Sequence, residues 1–136
     1  MKPFSIPVRV YYEDTDTAGV VYYANYLKFM ERARTEWLRS FGIEQSKLSA
    51  QGVVVFAVRS ANVEFLKPGH LDDDLRVTIA IRRVGRVSIT FDQTVERDGA
   101  VLCRGEVKVA CLDARTFQPA PLPDHIFNTL ELGSTA

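Results

Sequence analysis

The sequence predicts an α+β fold: a curved, antiparallel five-stranded sheet wrapped around one long central helix. Three observations predict it. Residues 24–41 carry a sustained helical repeat. The segments after residue 52 alternate apolar and polar side chains with a period of two, and the breaks between them are short and rich in turn-forming residues. A sheet of that kind must cover one apolar face, and the helix is the only large apolar object available to it.

The elements follow in order. Val8, Val10 and Tyr12 alternate with Arg9, Tyr11 and Glu13, which predicts a short strand. Asp14 to Gly19 reads as a loop. Tyr26, Met30, Ala33, Trp37 and Phe41 then repeat at three or four, with Leu27 and Leu38 widening the stripe. Lys28, Glu31, Arg32, Glu36 and Arg39 fill the other side, so Ala24 to Phe41 is one amphipathic helix. Gly42 ends it, and Asn25 or a nearby backbone group caps its start.

"VVVFAVRSANVEFL" is a long strand stopped by Pro68-Gly69. "LRVTIAIRRV" puts Leu75, Val77, Ile79 and Ile81 on one face. A turn at Gly85-Arg86 leads to "VSITFDQTVE", with Ile89, Phe91, Gln93 and Val95 together. Asp98-Gly99 is a hairpin signal, and "AVLCRGEVKVACLD" is the last strand. These four strands are expected as a meander. The tail is proline-rich and ends in about one helical turn.

The chain has 136 residues, which suits a single domain over 1–136. A domain of this size buries only ~70% of its unfolded surface, so a partner subunit would help. Seventeen basic and seventeen acidic residues cancel, which gives no broad field toward nucleic acid. No apolar run is long enough for a transmembrane segment, and the N-terminus lacks signal-peptide features. Cys103 and Cys111 lie eight apart in one strand, ~26 Å when extended, and cannot bridge. They read as core residues in a reducing, cytoplasmic setting.

Several chemistries are missing. There is no G-x-S-x-G elbow, and His70 and His125 sit in loop-like surroundings. H-E-x-x-H, C-x-x-C, G-x-G-x-x-G and the phosphate-loop motif are absent, so no metal or nucleotide cofactor is expected. "HLDDDL" lacks calcium-loop spacing and reads as a solvated turn.

"EDTD", from Glu13 to Asp16, packs three carboxylates just ahead of the helix. A carboxylate attacks a carbonyl or activates the water that does so. A helix start offers unpaired N–H groups that stabilise an oxyanion. Gly19 allows the turn that would bring Asp16 back over the helix end. That pairing suits acyl transfer without histidine. The other reading is an acidic loop that favours the helix dipole.

"YYEDTDTAGVVYYANYLKFMERARTEWL" resembles the hot-dog-fold acyl-CoA thioesterases, of the 4-hydroxybenzoyl-CoA thioesterase family and its Tol-Pal-associated branch. D-x-D-x-x-G-x-V and E-R-A-R-T-E carry the resemblance, which extends over roughly residues 5 to 125. It implies a curved sheet around a long helix, edge-to-edge homodimers and often homotetramers. It implies hydrolysis of an acyl-CoA to free acid and CoA, with Asp16 as nucleophile or general base. The backbone N–H of Tyr23 would polarise the carbonyl. Many Tol-Pal-associated members have histidine at that position, while hydroxybenzoyl-type enzymes have tyrosine.

Asp14 is read as loop support through an Asx-type turn. Glu31 either faces the site or pairs with Lys28 or Arg34 on the helix surface. Similar enzymes hold coenzyme A phosphates with basic residues near Arg82, Arg83 and Arg86; a solvated hairpin is the other reading of these arginines. A non-catalytic protein that binds acyl-CoA or acyl carrier protein on the same fold is the alternative function. A hot-dog dehydratase is disfavoured, since neither histidine matches its catalytic position.

Overall fold

A computed structural model describes residues 4–135, with side chains described as far as Glu131. β1 (Phe4–Arg9) leads through a 3₁₀ turn (Tyr12–Asp14) to the long helix α1 (Tyr23–Ser40). A short helix α2 (Gln45–Ala50) follows. Then come β2 (Val54–Phe65), β3 (Asp74–Val84), β4 (Ser88–Arg97), β5 (Ala100–Asp113) and α3 (Asp124–Thr135).

The five strands form one sheet in the order β1-β3-β4-β5-β2, and every pairing is antiparallel. The expected meander therefore covers only β3, β4 and β5. β2 is an edge strand on β5, and β1 takes the place beside β3. The link between β2 and β3 must cross the end of the sheet, and it passes Gly69 beside Val21 and Tyr26 on the way. Bulges near Arg59 and Arg82 shift the register and bend the sheet.

α1 lies along the concave face. Tyr26, Phe29, Met30, Ala33 and Trp37 are buried against Val77, Ile79, Phe91, Val95 and Val107. Phe29 lies beyond Ala33 on the helical wheel and extends the buried stripe on that side. Leu27, expected to widen it, lies on the neighbouring face and is exposed. The Trp37 ring packs edge-on against Phe91 at 5.6 Å.

Three local expectations are corrected. The first strand runs earlier, over Phe4–Arg9, because the Tyr11 amide donates to the Asp14 carboxylate at 2.8 Å and turns the chain. Tyr11 and Tyr12 are consequently exposed. The tail forms a three-turn helix instead of one turn, since Ile126 and Leu130 are four apart and both bury. His125 therefore lies on a helix. Cys103 and Cys111 are both buried free thiols on β5. Burial pushes their pKa values up to about 12 and about 11.

Candidate active site

The loop ahead of α1 is stitched down residue by residue. Val10 is fully buried and its amide donates to the Asp73 carbonyl. Asp14 is buried, with Oδ2 accepting the Tyr11 amide. Its carbonyl accepts two donors, the Tyr22 amide and Asn25 Nδ2, both at 2.9 Å. Thr15 bridges Val21, so Asp16 stands opposite Val20, and the Asp16 amide donates to the Val20 carbonyl at 2.9 Å. Gly19 closes this hairpin at φ +78°, a conformation that disfavours a side chain.

Asp16 sits at the exposed tip. Its Oδ1 accepts the Ala18 amide at 2.9 Å, an Asx-type turn, and Oδ2 has no donor among the described residues. The expected division of labour is thus refined. Asp14 does support the loop, but by reaching back to Tyr11. The Asx turn belongs to Asp16, and it fixes one carboxylate oxygen while leaving the other open.

The helix start is uncapped. The residue before it, Tyr22, makes no capping bond, and Asn25 is turned away to the Asp14 carbonyl. The Tyr22 and Asn25 amides have carbonyl partners; those of Tyr23 and Ala24 have none among the described residues. Free amides and the positive end of the helix dipole therefore face solvent a few residues from Asp16.

Aromatic rings wall this end. Tyr22 and Tyr23 are 4.9 Å apart, Tyr23 and Phe65 5.7 Å, and Tyr26 and Phe65 5.9 Å. With Val21, Leu66 and Pro68 they line a groove of about 250 Å³. Tyr26 also accepts the Gly69 amide at 2.9 Å, which holds the β2–β3 link against the loop. Tyr26 read as core in the sequence, and Phe65 as an ordinary strand residue. Only the strand order shows that both reach the site.

A second anchor lies beneath the link. Asp73 Oδ2 accepts the His70 amide at 2.8 Å and Arg97 Nη1 at 2.6 Å, with His70 Nδ1 at 3.8 Å. Burial alone would raise the Asp73 pKa. The His70 amide and the Arg97 guanidinium more than offset it, and the carboxyl titrates below its ordinary value.

The other expected residues lie elsewhere. Glu31 is exposed two turns into α1, and its carboxylate accepts the Thr35 hydroxyl at 3.0 Å instead of pairing with Lys28 or Arg34. Arg82 is held at 3.3 Å by both Asp92 and Glu106 on the outer sheet face. Arg83 and Arg86 are exposed around the β3–β4 turn. That turn is at the far end of β3 from Asp73, roughly 30 Å along the strand. One protomer does not bring these arginines to Asp16.

The arrangement offers a half-free carboxylate at the tip of a hairpin, and that hairpin leads into unpaired helix amides and an aromatic groove lined by Tyr23, Tyr26 and Phe65. A model of the thioesterase-like superfamily matches residues 10–130, a span that includes every one of these features. The chain belongs to this superfamily. As a thioesterase of hot-dog fold it has near relatives. It is 42% identical over 123 residues to the Haemophilus influenzae acyl-CoA thioesterase YbgC, covering 90% of each chain. It is 44% identical to the Escherichia coli acyl-CoA thioester hydrolase YbgC, over 90% of this chain and 92% of that one. The solved structure of Slr0204, a 1,4-dihydroxy-2-naphthoyl-CoA thioesterase from Synechocystis, superposes with a TM-score of 0.87 at 25% identity. That match covers 94% of this thioesterase and 95% of Slr0204.

Proposed function

We propose that this acyl-CoA thioesterase works through Asp16 and the Tyr23 backbone N–H. The observation that carries the reading is the uncapped start of α1, with its free amides following the hairpin that presents Asp16. A thioester carbonyl oxygen accepts from the Tyr23 amide, and the helix dipole favours the negative charge that develops there. The free oxygen of Asp16 attacks the carbonyl carbon, or takes a proton from a water that does. Either way a C–O bond forms, the C–S bond breaks, and coenzyme A leaves as its thiolate, which takes a proton from solvent in the first route and from protonated Asp16 in the second. In the first route water then cleaves the mixed anhydride and restores Asp16. The chemistry draws on no cofactor. The Tyr23 side chain is directed at Phe65, so only the main chain of Tyr23 is assigned a part.

The working unit is a homodimer. β2 is a twelve-residue edge strand, and Ala57 to Asn62 are all exposed along it. Long open edges pair readily. The face of α1 beside it exposes Tyr23, Leu27 and Glu31. A second copy, with β2 antiparallel to β2, would cover both surfaces. It would also bring the partner's β3–β4 turn, with its arginines, to the same end as this protomer's Asp16. That arrangement is how Arg83 and Arg86 would reach coenzyme A phosphates. Buried free thiols and a coenzyme A substrate agree with a cytoplasmic location.

The test is Asp16→Asn, assayed by thiol release from short, long and aromatic acyl-CoAs. The variant should fold normally and lose about 10³-fold in kcat. Near-normal turnover in a folded Asp16→Asn protein would sink the assignment.

A further inference from the structure

Asn25 is the third residue of α1 and is only 9% exposed. A side chain at that position can fold back and accept the amide of the residue before the helix, here Tyr22. Asn25 does not fold back. Its Nδ2 donates away from the helix, to the Asp14 carbonyl at 2.9 Å. Asparagine is also a poor helix former, and an alanine or an acid would serve a first turn better. The local helix therefore does not account for this residue. The bond that it makes to the loop does.

That bond lands on a rung of the hairpin. The Thr15–Val21 bridge rests on two backbone bonds, from the Asp16 amide to the Val20 carbonyl and from the Tyr22 amide to the Asp14 carbonyl, both at 2.9 Å. The Asp14 carbonyl is thus the base of the hairpin that presents Asp16, and Asn25 fills the second lone pair of its oxygen. Two arms leave this point. One runs two residues, from Asp14 to Asp16, and the other runs one residue, from Tyr22 to Tyr23. Two residues of extended chain span roughly 7 Å. A tilt of about ten degrees at the base moves the Asp16 carboxylate by about 1 Å, and a misplacement of that size costs about 10²-fold in rate. Among the described residues, the Tyr22 amide and Asn25 Nδ2 are the two donors that join the Asp14–Asp16 arm to the helix start. The returning arm is held through the β2–β3 link: the Val21 amide donates to the Gly69 carbonyl at 2.8 Å, and the Gly69 amide to the Tyr26 hydroxyl at 2.9 Å.

We infer that Asn25 is a positioning residue, which sets the Asp16 carboxylate against the Tyr23 amide by clamping the Asp14 carbonyl. The inference rests on the Asp16 reading and deepens it. It needs no partner subunit, because every contact it uses lies within one protomer. Such a residue acts on kcat and leaves the affinity for coenzyme A alone. An aspartate at 25 has the same shape and, when ionised, no donor. It would accept the Tyr22 amide, cap the helix and draw both donors off the Asp14 carbonyl.

The experiment measures thiol release from butanoyl-, dodecanoyl- and benzoyl-CoA by Asn25→Asp, Asn25→Ala and Asn25→Ser, with thermal unfolding of each. In kcat, Asn25→Ala should lose about tenfold and Asn25→Asp about 10²-fold. KM, and the Kd of coenzyme A by calorimetry, should stay within about twofold of the wild type. Asn25→Asp should melt no lower than Asn25→Ala, so the rate loss does not follow stability. Asn25→Ser matches alanine in size but keeps a hydroxyl donor, and should recover part of the loss. Added to Asp16→Asn, Asn25→Asp should cost no more than about twofold further, because the clamp acts through Asp16.

Folded Asn25→Asp and Asn25→Ala proteins with wild-type kcat would overturn the inference. So would a full further loss in the Asp16→Asn background, which is what a purely structural role predicts. If Asn25→Ala does not fold, Asn25→Asp and Asn25→Ser decide. The two readings fail separately. An inactive Asp16→Asn protein beside a fully active Asn25→Asp protein would overturn the clamp and leave the Asp16 assignment in place. Near-normal turnover by Asp16→Asn would overturn that assignment and the clamp with it.

Discussion

The two ends of α1 are finished in opposite ways. At the far end the chain closes every option. Gly42 takes φ +78°, its amide donates to the Arg39 carbonyl, and the Ile43 amide donates to the Leu38 carbonyl. Those two bonds are a Schellman motif. At the near end Tyr22 provides no cap, and the two side chains best suited to capping, Asp14 and Asn25, are bonded elsewhere. A missing N-cap costs about 1 kcal/mol. The helix is sealed where nothing is asked of it and left open where its amides face the candidate substrate.

The largest effect on this contrast comes from capping the open end. Tyr22 already has extended backbone angles suited to an N-cap, φ −63° and ψ 129°. Tyr22→Asp should raise stability by about 1 kcal/mol. It should also cut kcat by about 10²-fold, as an anion competes with the developing oxyanion for the same amides. Thermal unfolding and thiol release, measured on one preparation, check whether stability and rate move in opposite directions.

The anchor under the near end should matter for stability more than for chemistry. Asp73→Asn removes the charge that the Arg97 guanidinium meets, at a cost of about 2 kcal/mol near neutral pH. The folded-state pKa of Asp73 is depressed. Its stabilisation is therefore complete above the ordinary value of 3.8 and is lost as pH falls through the lower one. Denaturant titrations from pH 6 to acid should show an acid-side decline that is shallower in Asp73→Asn.

The smallest effect belongs to the sealed end. Gly42→Ala meets no neighbouring atom, so its penalty is backbone strain alone, about 1 kcal/mol. Turnover should stay at the wild-type level in an assay below the melting temperature. A drop in kcat there would mean that the two ends are not independent.

Much of this was legible in the sequence because it is local. The helical repeat located α1, Gly42 its end, and Asp98-Gly99 the β4–β5 hairpin, where Arg97 pairs with Ala100. The charge cluster ahead of the helix drew attention to the loop, and the resemblance of its D-x-D-x-x-G-x-V to the thioesterases singled out Asp16. What escaped depends on contacts distant in sequence. Alternation places Gln93 on the core face but does not show that a helix carbonyl and a buried arginine wait there. The strand order puts β2 at an edge and Phe65 beside Tyr23, and no periodicity reports that. The tyrosines at 11 and 12 mimic a strand continuation, until one bond from Asp14 turns the chain. Arg82 looked available for phosphate because its partners, Asp92 and Glu106, lie on other strands.

The central claim concerns a backbone group, which no side-chain substitution removes. Replacing Tyr23 by its α-hydroxy acid changes that one amide to an ester and keeps the side chain. The N–H is lost at a position with no acceptor among the described residues, so folding should be unaffected. Turnover on acyl-CoA should fall by about 10²-fold in kcat. A folded ester variant with wild-type kcat would contradict it.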